Sequence, residues 1–307
     1  MNYPFDISVV IVNYNVKDLL LQALGSLYKK TSPHLKLEVF VVDNQSSDDS
    51  VLLVRQQFPQ VKLIANNFNA GFPAGNNQAF KEAKGKYIFM LNPDTEFLED
   101  SLSVLFNYME SHSDVSICAP RLLNSDKSHQ ISAWRYPSLK SIFGEMYYLN
   151  FLVNSKNYGD KDLTQSFEAE SFSGAAIFFR SELMNEVGML DETMFWIEDI
   201  DFCYRAKQAG KKLIYLPQTS IVHHSGQSAK KNYKISLSNQ IFNKIKFYQK
   251  HHGALATSAV KALSAFHVIT KFVVFSLLSP FNVIYFRKAQ AYAYTFPRLF
   301  NPPKGIK

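Results

Sequence analysis

Two acidic clusters in this 307-residue chain are placed to do chemistry. Asp94 sits in Asn92-Pro93-Asp94-Thr95-Glu96, directly after an apolar run. Glu198, Asp199 and Asp201 sit in Trp196-Ile197-Glu198-Asp199-Ile200-Asp201, directly before a helical pattern. Carboxylates at strand ends and helix N-termini can hold a hard cation beside phosphates, or take a proton from an attacking hydroxyl. Taken singly, each has a plainer explanation: Glu198 and Asp199 cap a helix and complement its dipole, and Asp94 makes a turn that Pro93 favours. His223 and His224 follow the apolar run 219–222. A neutral imidazole there can complete a metal site with Asp94, but neighbours on a strand point to opposite faces, so at most one of the pair faces the site.

These residues need a scaffold, and the first 120 residues describe one. Residues 7–13 (ISVVIVN) form a continuous apolar run, as expected of a strand buried on both faces. Residues 17–28 follow with helical spacing at Leu20, Ala23, Leu24 and Leu27. Strands are expected at 37–43, 61–65 and 86–92, and helices from 46–49 through Phe58, at 73–84 and at 98–111. Strand–helix alternation at this spacing predicts right-handed crossovers and a mostly parallel sheet. Ligands in such sheets bind beyond the carboxyl ends of the strands. All four ends here carry polar side chains: Asn13-Tyr14-Asn15, Asp43-Asn44, Asn66 through Phe72 with Asn69 and Gly71, and Asn92-Pro93-Asp94. Turn-making explains any one of them but explains four together poorly. Residues 122–170 read as irregular, with an aromatic patch at 143–151 suited to a lid near an acceptor or to plain packing. Strand and helix signals resume at 173–180, 181–187, 199–209 and 212–216.

Charge divides the chain sharply. All 26 acidic residues lie in residues 1–201 against 16 Lys and Arg, whereas residues 202–307 hold 17 Lys and Arg and no acid. A long acid-free segment predicts an anionic partner surface: phospholipid head groups, a diphosphate lipid or nucleic acid. Residues 236–251 suggest a basic helix, and 254–296 are mostly apolar. The longest uncharged run there, 272–286, is interrupted by Pro280 and falls short of the about 20 residues a spanning helix needs. Two amphipathic helices in the membrane interface are expected instead, or a helical hairpin packed on protein. Two cysteines, Cys118 and Cys203, are too few for a disulfide framework or a structural zinc site, so a reducing cytoplasmic setting is expected. The N-terminus has no basic region before its apolar run and reads as no secretory signal.

In order, VVIVNYN (9–15), VVDNQSSDDS (41–50), NNFNAGFPAGNN (66–77), FMLNPDTEF (89–97), the long segment 173–217 and IVHHSG (221–226) resemble family 2 of the inverting glycosyltransferases. The likeness is to its rhamnosyltransferase-like branch and covers residues 6–227. It implies an α/β GT-A fold in residues 1–235, with a nucleotide-sugar-binding half (1–120) and an acceptor-binding half (121–235), then a basic, apolar, membrane-associated helical region (236–307). It also implies a nucleoside diphosphate sugar donor and Mg²⁺ or Mn²⁺. By that similarity Asn13, Tyr14 and Asn15 touch the nucleoside, and Asp43 accepts from N3–H of uracil or thymine. Asn69, Gly71 and Asn76 line the nucleotide pocket, with Asn92 beside them. Asp94 is the metal-contacting end of the family's D-x-D triplet. Asp199, with Glu198 beside it, is the catalytic base. His223 joins the metal, and ranks above His224 by that alignment. The triplet here begins with Asn92, which offers an oxygen but one less negative charge, so weaker metal binding is expected.

The resulting expectation is inverting transfer, from dTDP-rhamnose first among donors, to a glycan or lipid-diphosphate-linked acceptor in cell-surface polysaccharide synthesis. The expected location is the cytoplasmic face of the membrane, with homo-oligomerisation left open. The alternative is a non-catalytic nucleotide-sugar-binding subunit whose C-terminal helices dock a partner. A sugar nucleotidyltransferase would carry a Gly-rich basic loop after strand one, and a nicotinamide dehydrogenase a G-x-G-x-x-G there; residues 13–18, NYNVKD, contain no glycine. Nothing in the basic third resembles a nucleic-acid module.

Overall fold

The computed structural model describes residues 3–147, 158, 161–194, 196–224 and 233–300. The end of the aromatic patch (148–151) and Ser225 and Gly226 of IVHHSG lie outside the described residues. The chain forms two compact units: 1–136, 157–192 and 199–225 make the first, and 137–156, 193–198 and 226–307 the second.

The first unit is built on a ten-stranded sheet. Its strands are β1 (Phe5–Asn13), β2 (Leu37–Asp43), β3 (Lys62–Ala65), β4 (Gly85–Leu91), β5 (Thr95–Phe97), β6 (Val115–Leu123), β7 (His129–Gln130), β9 (Phe167–Glu168), β11 (Ala176–Arg180) and β12 (Lys212–His223). The main order is β3-β2-β1-β4-β11-β6-β12-β5. β8 (Ala133–Trp134) and β10 (Ser171–Phe172) pair separately. The β3-β2-β1-β4 half is parallel, as the strand–helix alternation requires. β11 then runs antiparallel to both β4 and β6, so the sheet is mixed at its centre. That reversal matters for the site, because it brings the start of β11 to the carboxyl end of β4.

Alternation along the strands sorts the core onto two faces. Ile7, Val9 and Ile11 meet α1 (Lys17–Lys30) through Leu20, Leu24 and Leu27, in one cluster with Leu102 and Leu105 of α4 (Ser101–Ser111). Val10 and Val12 lie in the opposite cluster with Ala79 and Phe80 of α3 (Phe72–Glu82) and Phe202 and Ala206 of α7 (Glu198–Gln208). Between them, α2 (Ser50–Gln57) follows β2, and α6 (Leu183–Val187) follows β11. Cys118 and Cys203 fall on opposite faces, buried and free.

Three details depart from the sequence reading. β6 is missing from the sequence reading because Ser116, Pro120 and Arg121 interrupt its apolar pattern. The runs 212–216 and 219–222 are one strand, β12, whose pairing with β6 shifts register between Leu216 and Ser220. Within the supposedly irregular 122–170, α5 (Leu139–Met146) forms behind a reciprocal cap in which Ser138 and Ser141 satisfy each other's backbone N–H.

The second unit is helical: α5, α8 (Tyr233–His251), α9 (Gly253–Leu278), a 3-10 turn at Ser279–Phe281 and α10 (Val283–Thr295). Gly253, at φ +75°, takes the left-handed backbone that separates α8 from α9. Lys244 pairs with Glu145 near the end of α5, and the Tyr248 hydroxyl donates to the Pro137 carbonyl just before its start, tying α8 along α5. α9 runs unbroken through Lys261 and Lys271, so Gly253–Phe281 is one helical stretch long and apolar enough to cross a membrane, where the sequence suggested shorter pieces.

Candidate active site

The site grows from the carboxyl ends of β1, β2 and β4, all within the first unit. Asn13, fully buried, donates to Asp43 Oδ2 (2.8 Å) and Ser46 Oγ (3.1 Å). Asp43 Oδ1 accepts from the Ser46 N–H at 2.8 Å. Asn15, at φ 53°, donates its N–H to Ser46 Oγ and accepts from the Ser47 N–H. Asp48 accepts from the Lys17 N–H at 2.8 Å. The loops after β1 and β2 are therefore laced together, and Asp43 is buried within that lacing. Tyr14, next to it, projects half-exposed.

The third strand end is laced to the same edge. Asn66 donates to Asn44 Oδ1 and Gln78 Oε1, and Asn44 donates to the Gly71 carbonyl. Asn69 Oδ1 accepts from the Gly71 N–H in an Asx turn, and Gly71, at φ +86°, then starts α3. Asn76 is fully buried and donates to the Phe72 carbonyl. Two buried acceptors on this edge, Asn13 Oδ1 and Asn76 Oδ1, have no hydrogen-bond partner. Leaving a buried carbonyl oxygen orphaned costs about 1–3 kcal/mol, which suits a place where a ligand donor arrives.

Beyond β4 the fold gathers Asn92, Asp94 and His223. The His223 Nε2 lies 3.2 Å from Asp94 Oδ1 and 3.3 Å from Asn92 Nδ2. Gln130, from β7, decides the state of this ring. Its amide nitrogen donates to Asn124 Oδ1 and the His223 carbonyl, so its Oε1 is turned to His223 Nδ1, 2.6 Å away. That acceptor places a ring proton on Nδ1 and sets Nε2 between the Asn92 amide and the Asp94 carboxylate. His223 Nε2 and Asp94 Oδ1, 3.2 Å apart, are spaced as two ligands of one divalent cation would be, and an imidazole nitrogen with a carboxylate is a suitable donor set. Among the described residues no third His, Cys, Asp or Glu joins them. His224 turns the other way, to Ser125 Oγ (2.8 Å) and Glu96 Oε2 (3.2 Å).

Asp199 reaches the same place through β11. Its Oδ2 accepts from the Gly174 N–H at 2.7 Å, and its Oδ1 from the Ile200 N–H at 2.7 Å. One residue on, the Ala175 carbonyl accepts from the Asn92 N–H at 2.9 Å. A short run of backbone thus connects the Asp199 carboxylate to the Asn92–His223–Asp94 group. Burial pushes the Asp199 carboxyl up to about 6, against the pull of its two N–H donors. The residue keeps some solvent contact, but its carboxylate lies against the Gly174 backbone. A Cβ at position 174 would stand 3.3 Å from Asp199 Oδ2, tighter than an ordinary contact, so a side chain there would push the carboxylate by a few tenths of an ångström. Glu198, its neighbour, is buried and accepts from the Ile197 N–H instead.

Sequence reasoning missed Gln130, Gly174, Ser46 and Asp48. Gln130 carries no local signal, being 93 positions from the histidine it holds.

A mixed sheet of this order, flanked by helices on both faces, is the GT-A fold. The family model for glycosyl transferase family 2 matches residues 8–187, and the chain belongs to that family. Among its relatives, the N-acetylglucosaminyl-diphospho-decaprenol L-rhamnosyltransferase of Mycobacterium tuberculosis is 25% identical over 238 residues, 72% of this chain and 76% of the relative. Rhamnosyltransferase WbbL of Escherichia coli is 26% identical over 232 residues, 71% and 83% of the two chains. A poly(ribitol-phosphate) beta-glucosyltransferase of Bacillus spizizenii is 34% identical over 116 residues, 36% of this chain but only 18% of the relative's length. The match to a Haloferax volcanii hexosyltransferase spans 62% of that protein. In fold, a mannosyltransferase of Pyrobaculum calidifontis, solved with GDP-Man and Mn²⁺, aligns over 99% of this chain and 92% of its own at TM-score 0.57 and 15% identity.

Proposed function

We propose that this chain transfers a sugar from a nucleoside diphosphate sugar, dTDP-rhamnose first, to a hydroxyl of a glycan or lipid-diphosphate-linked acceptor, inverting the anomeric centre. The observation that carries this reading is the Asp199 carboxylate, held by two N–H donors and joined through Gly174–Ala175 to Asn92, Asp94 and His223. Each carboxylate oxygen keeps a lone pair for an incoming proton. As the acceptor oxygen bonds to the anomeric carbon, its proton passes to Asp199, and the bond to the diphosphate breaks on the opposite face. A base titrating near 6 is ionised at neutral pH yet basic enough to take part of that proton in the transition state. Asp94 and His223 would hold Mg²⁺ or Mn²⁺, which supplies positive charge to the departing diphosphate when bound. Cations of this kind complete their shells with substrate phosphates and water, which suits a site offering two protein donors. The orphaned oxygens of Asn13 and Asn76 would accept from donor-sugar or nucleoside groups. We place the protein on the cytoplasmic face of a membrane, where the acid-free segment 202–307 meets anionic head groups during surface polysaccharide assembly.

The test is nucleoside diphosphate release by the purified protein. The panel comprises dTDP-, UDP- and GDP-sugars with Mn²⁺, Mg²⁺ or chelator, with and without a lipid extract of the source cells. Release with one donor, dependent on the extract, supports transfer and names the sugar. Binding of one donor without release under any condition would favour the non-catalytic subunit, and no binding at all would overturn the nucleotide-sugar reading.

A further inference from the structure

We infer that the α9–α10 hairpin enters a single leaflet of an anionic bilayer with its connecting turn leading, neither lying flat nor crossing. This deepens the membrane-surface reading above and rests on it. Among the described residues of α9 and α10, the exposed large apolar side chains are densest toward the connecting turn, with Leu255 alone at the far end of α9 and Phe296 and Phe300 beyond the far end of α10. Over residues 253–265 of α9 the exposed positions are small or polar apart from Leu255. From Phe266 onward, Phe266, Ile269, Val273 and Leu277 make an exposed stripe at helical spacing, and Phe281 and Ile284 continue it across the turn. Leu277 is 71% exposed and Phe281 83%. Large apolar groups at such exposure need a cover, and one extending over two helices and their turn exceeds what scattered surface residues account for.

The cations say what that cover is. Lys271 on α9 and Arg287 and Lys288 on α10 flank the apolar tip, and no acid occurs anywhere in residues 202–307. At about 1.5 Å per helical residue, Lys271 lies about 10 Å from the end of α9, and Arg287 about 6 Å from the start of α10. A band of positive charge about 6–10 Å behind an apolar tip matches phosphate head groups with the tip in one leaflet, half of a hydrocarbon core about 30 Å thick. A spanning α9 would instead carry Lys261 and Lys271 into the hydrocarbon, where charge is expensive. A flat hairpin would bury the small and polar face of residues 253–265 for little return. The turn also meets the demand that hydrocarbon makes on polar groups. Asn282 Oδ1 accepts from the Ile284 N–H, the Asn282 carbonyl from the Tyr285 and Phe286 N–H groups, and Ser279 Oγ donates to the Ser276 carbonyl.

The experiment places one fluorescent NBD label at a time on the full-length chain, through Leu255→Cys, Ile269→Cys or Phe281→Cys; the native Cys118 and Cys203 are fully buried and stay unlabelled. Each protein is mixed with vesicles of phosphatidylglycerol and phosphatidylcholine carrying shallow or deep nitroxide quenchers. The expected depth order is 281, then 269, then 255, with the label at 255 open to aqueous iodide. Leu277→Asp with Phe281→Asp should lower partitioning into vesicles at least tenfold, and Lys271→Gln and Arg287→Gln about fivefold each. Greatest depth at 269, with both ends shallow, would mean a spanning helix and overturn the inference. Three equally shallow labels would mean flat adsorption and overturn it too. Protection at 281 without vesicles, together with a doubled mass in sedimentation, would assign the face to a second copy of the chain. Binding with the wrong depth order removes only this inference, whereas no binding to vesicles removes the membrane-surface reading with it.

Discussion

Asp199→Asn removes a charge that the fold holds against its environment, and this separates its chemical role from its structural one. In the unfolded chain the carboxyl has its ordinary value of 3.8, and in the fold burial raises it to about 6. Below both values the group is protonated in either state and costs nothing. Above both it is ionised in either state, and the full difference, about 3 kcal/mol, weighs against the fold. Wild-type stability from this group therefore falls as pH rises from about 4 through 6. The asparagine variant has no such slope. Its amide can accept only one of the Gly174 and Ile200 N–H groups, a loss of about 1 kcal/mol that is the same at every pH. Partial solvent contact screens the charge, so the variant should gain about 1–2 kcal/mol relative to wild type between pH 4.5 and 7.5. That is about 2–4 °C of melting temperature for a chain of this size. Paired thermal melts at the two pH values read the change, and diphosphate release at pH 7.5 should fall by at least about 10²–10⁴ with donor binding kept. A stability difference that is independent of pH would refute the desolvation argument. Near-wild-type turnover would refute the assignment of the base.

Wild-type kcat/KM should fall about tenfold for each pH unit below about 6, as the Asp199 base becomes protonated, and a flat profile down to pH 5 would count against it. Gln130→Leu should leave the His223 ring without its Nδ1 acceptor and weaken Mn²⁺ binding, read by titration calorimetry, about 10–100-fold, with Gln130→Glu restoring it. Gly174→Ala puts a methyl group 3.3 Å from Asp199 Oδ2, displaces the carboxylate by a few tenths of an ångström, and should lower turnover by about threefold with little change in melting temperature. Ser8→Ala should destabilise the first unit by about 1–3 kcal/mol in urea unfolding without altering donor binding, because Ser8 Oγ bridges Glu38 and the Gly85 N–H inside the sheet.

The strand–helix alternation made the first 120 residues legible from the sequence, since each of their first strands is a local apolar run followed by a local helical period. The strands at 7–13, 37–43 and 86–92 appear within a residue or two as β1, β2 and β4. The family resemblance named the residues at their ends, and the structure sets Asn92, Asp94 and His223 side by side while turning His224 away. The apolar pattern of β6 was hidden by Ser116, Pro120 and Arg121. The length of α9 was hidden by Lys261 and Lys271, which an apolar-run count treats as breaks although long side chains on a helix carry their charge outward without interrupting it.

What the sequence determined by itself is whatever depends on near neighbours: the parallel half of the sheet, the turns at its ligand edge, the acid-free third and the membership of the family. Only the tertiary structure decided matters that depend on residues far apart in the chain. The antiparallel β11 carries Gly174 and Ala175 to the end of β4 and so links Asp199 to Asn92 through two backbone hydrogen bonds. β7 brings Gln130 to His223 from 93 positions away. Hydrogen-bond partners of that kind are chosen by strand order and register, which long-range packing selects and no local spacing encodes. The value near 6 for Asp199 has the same origin, because desolvation is a property of everything folded around a carboxylate and leaves no mark on the residues beside it in sequence.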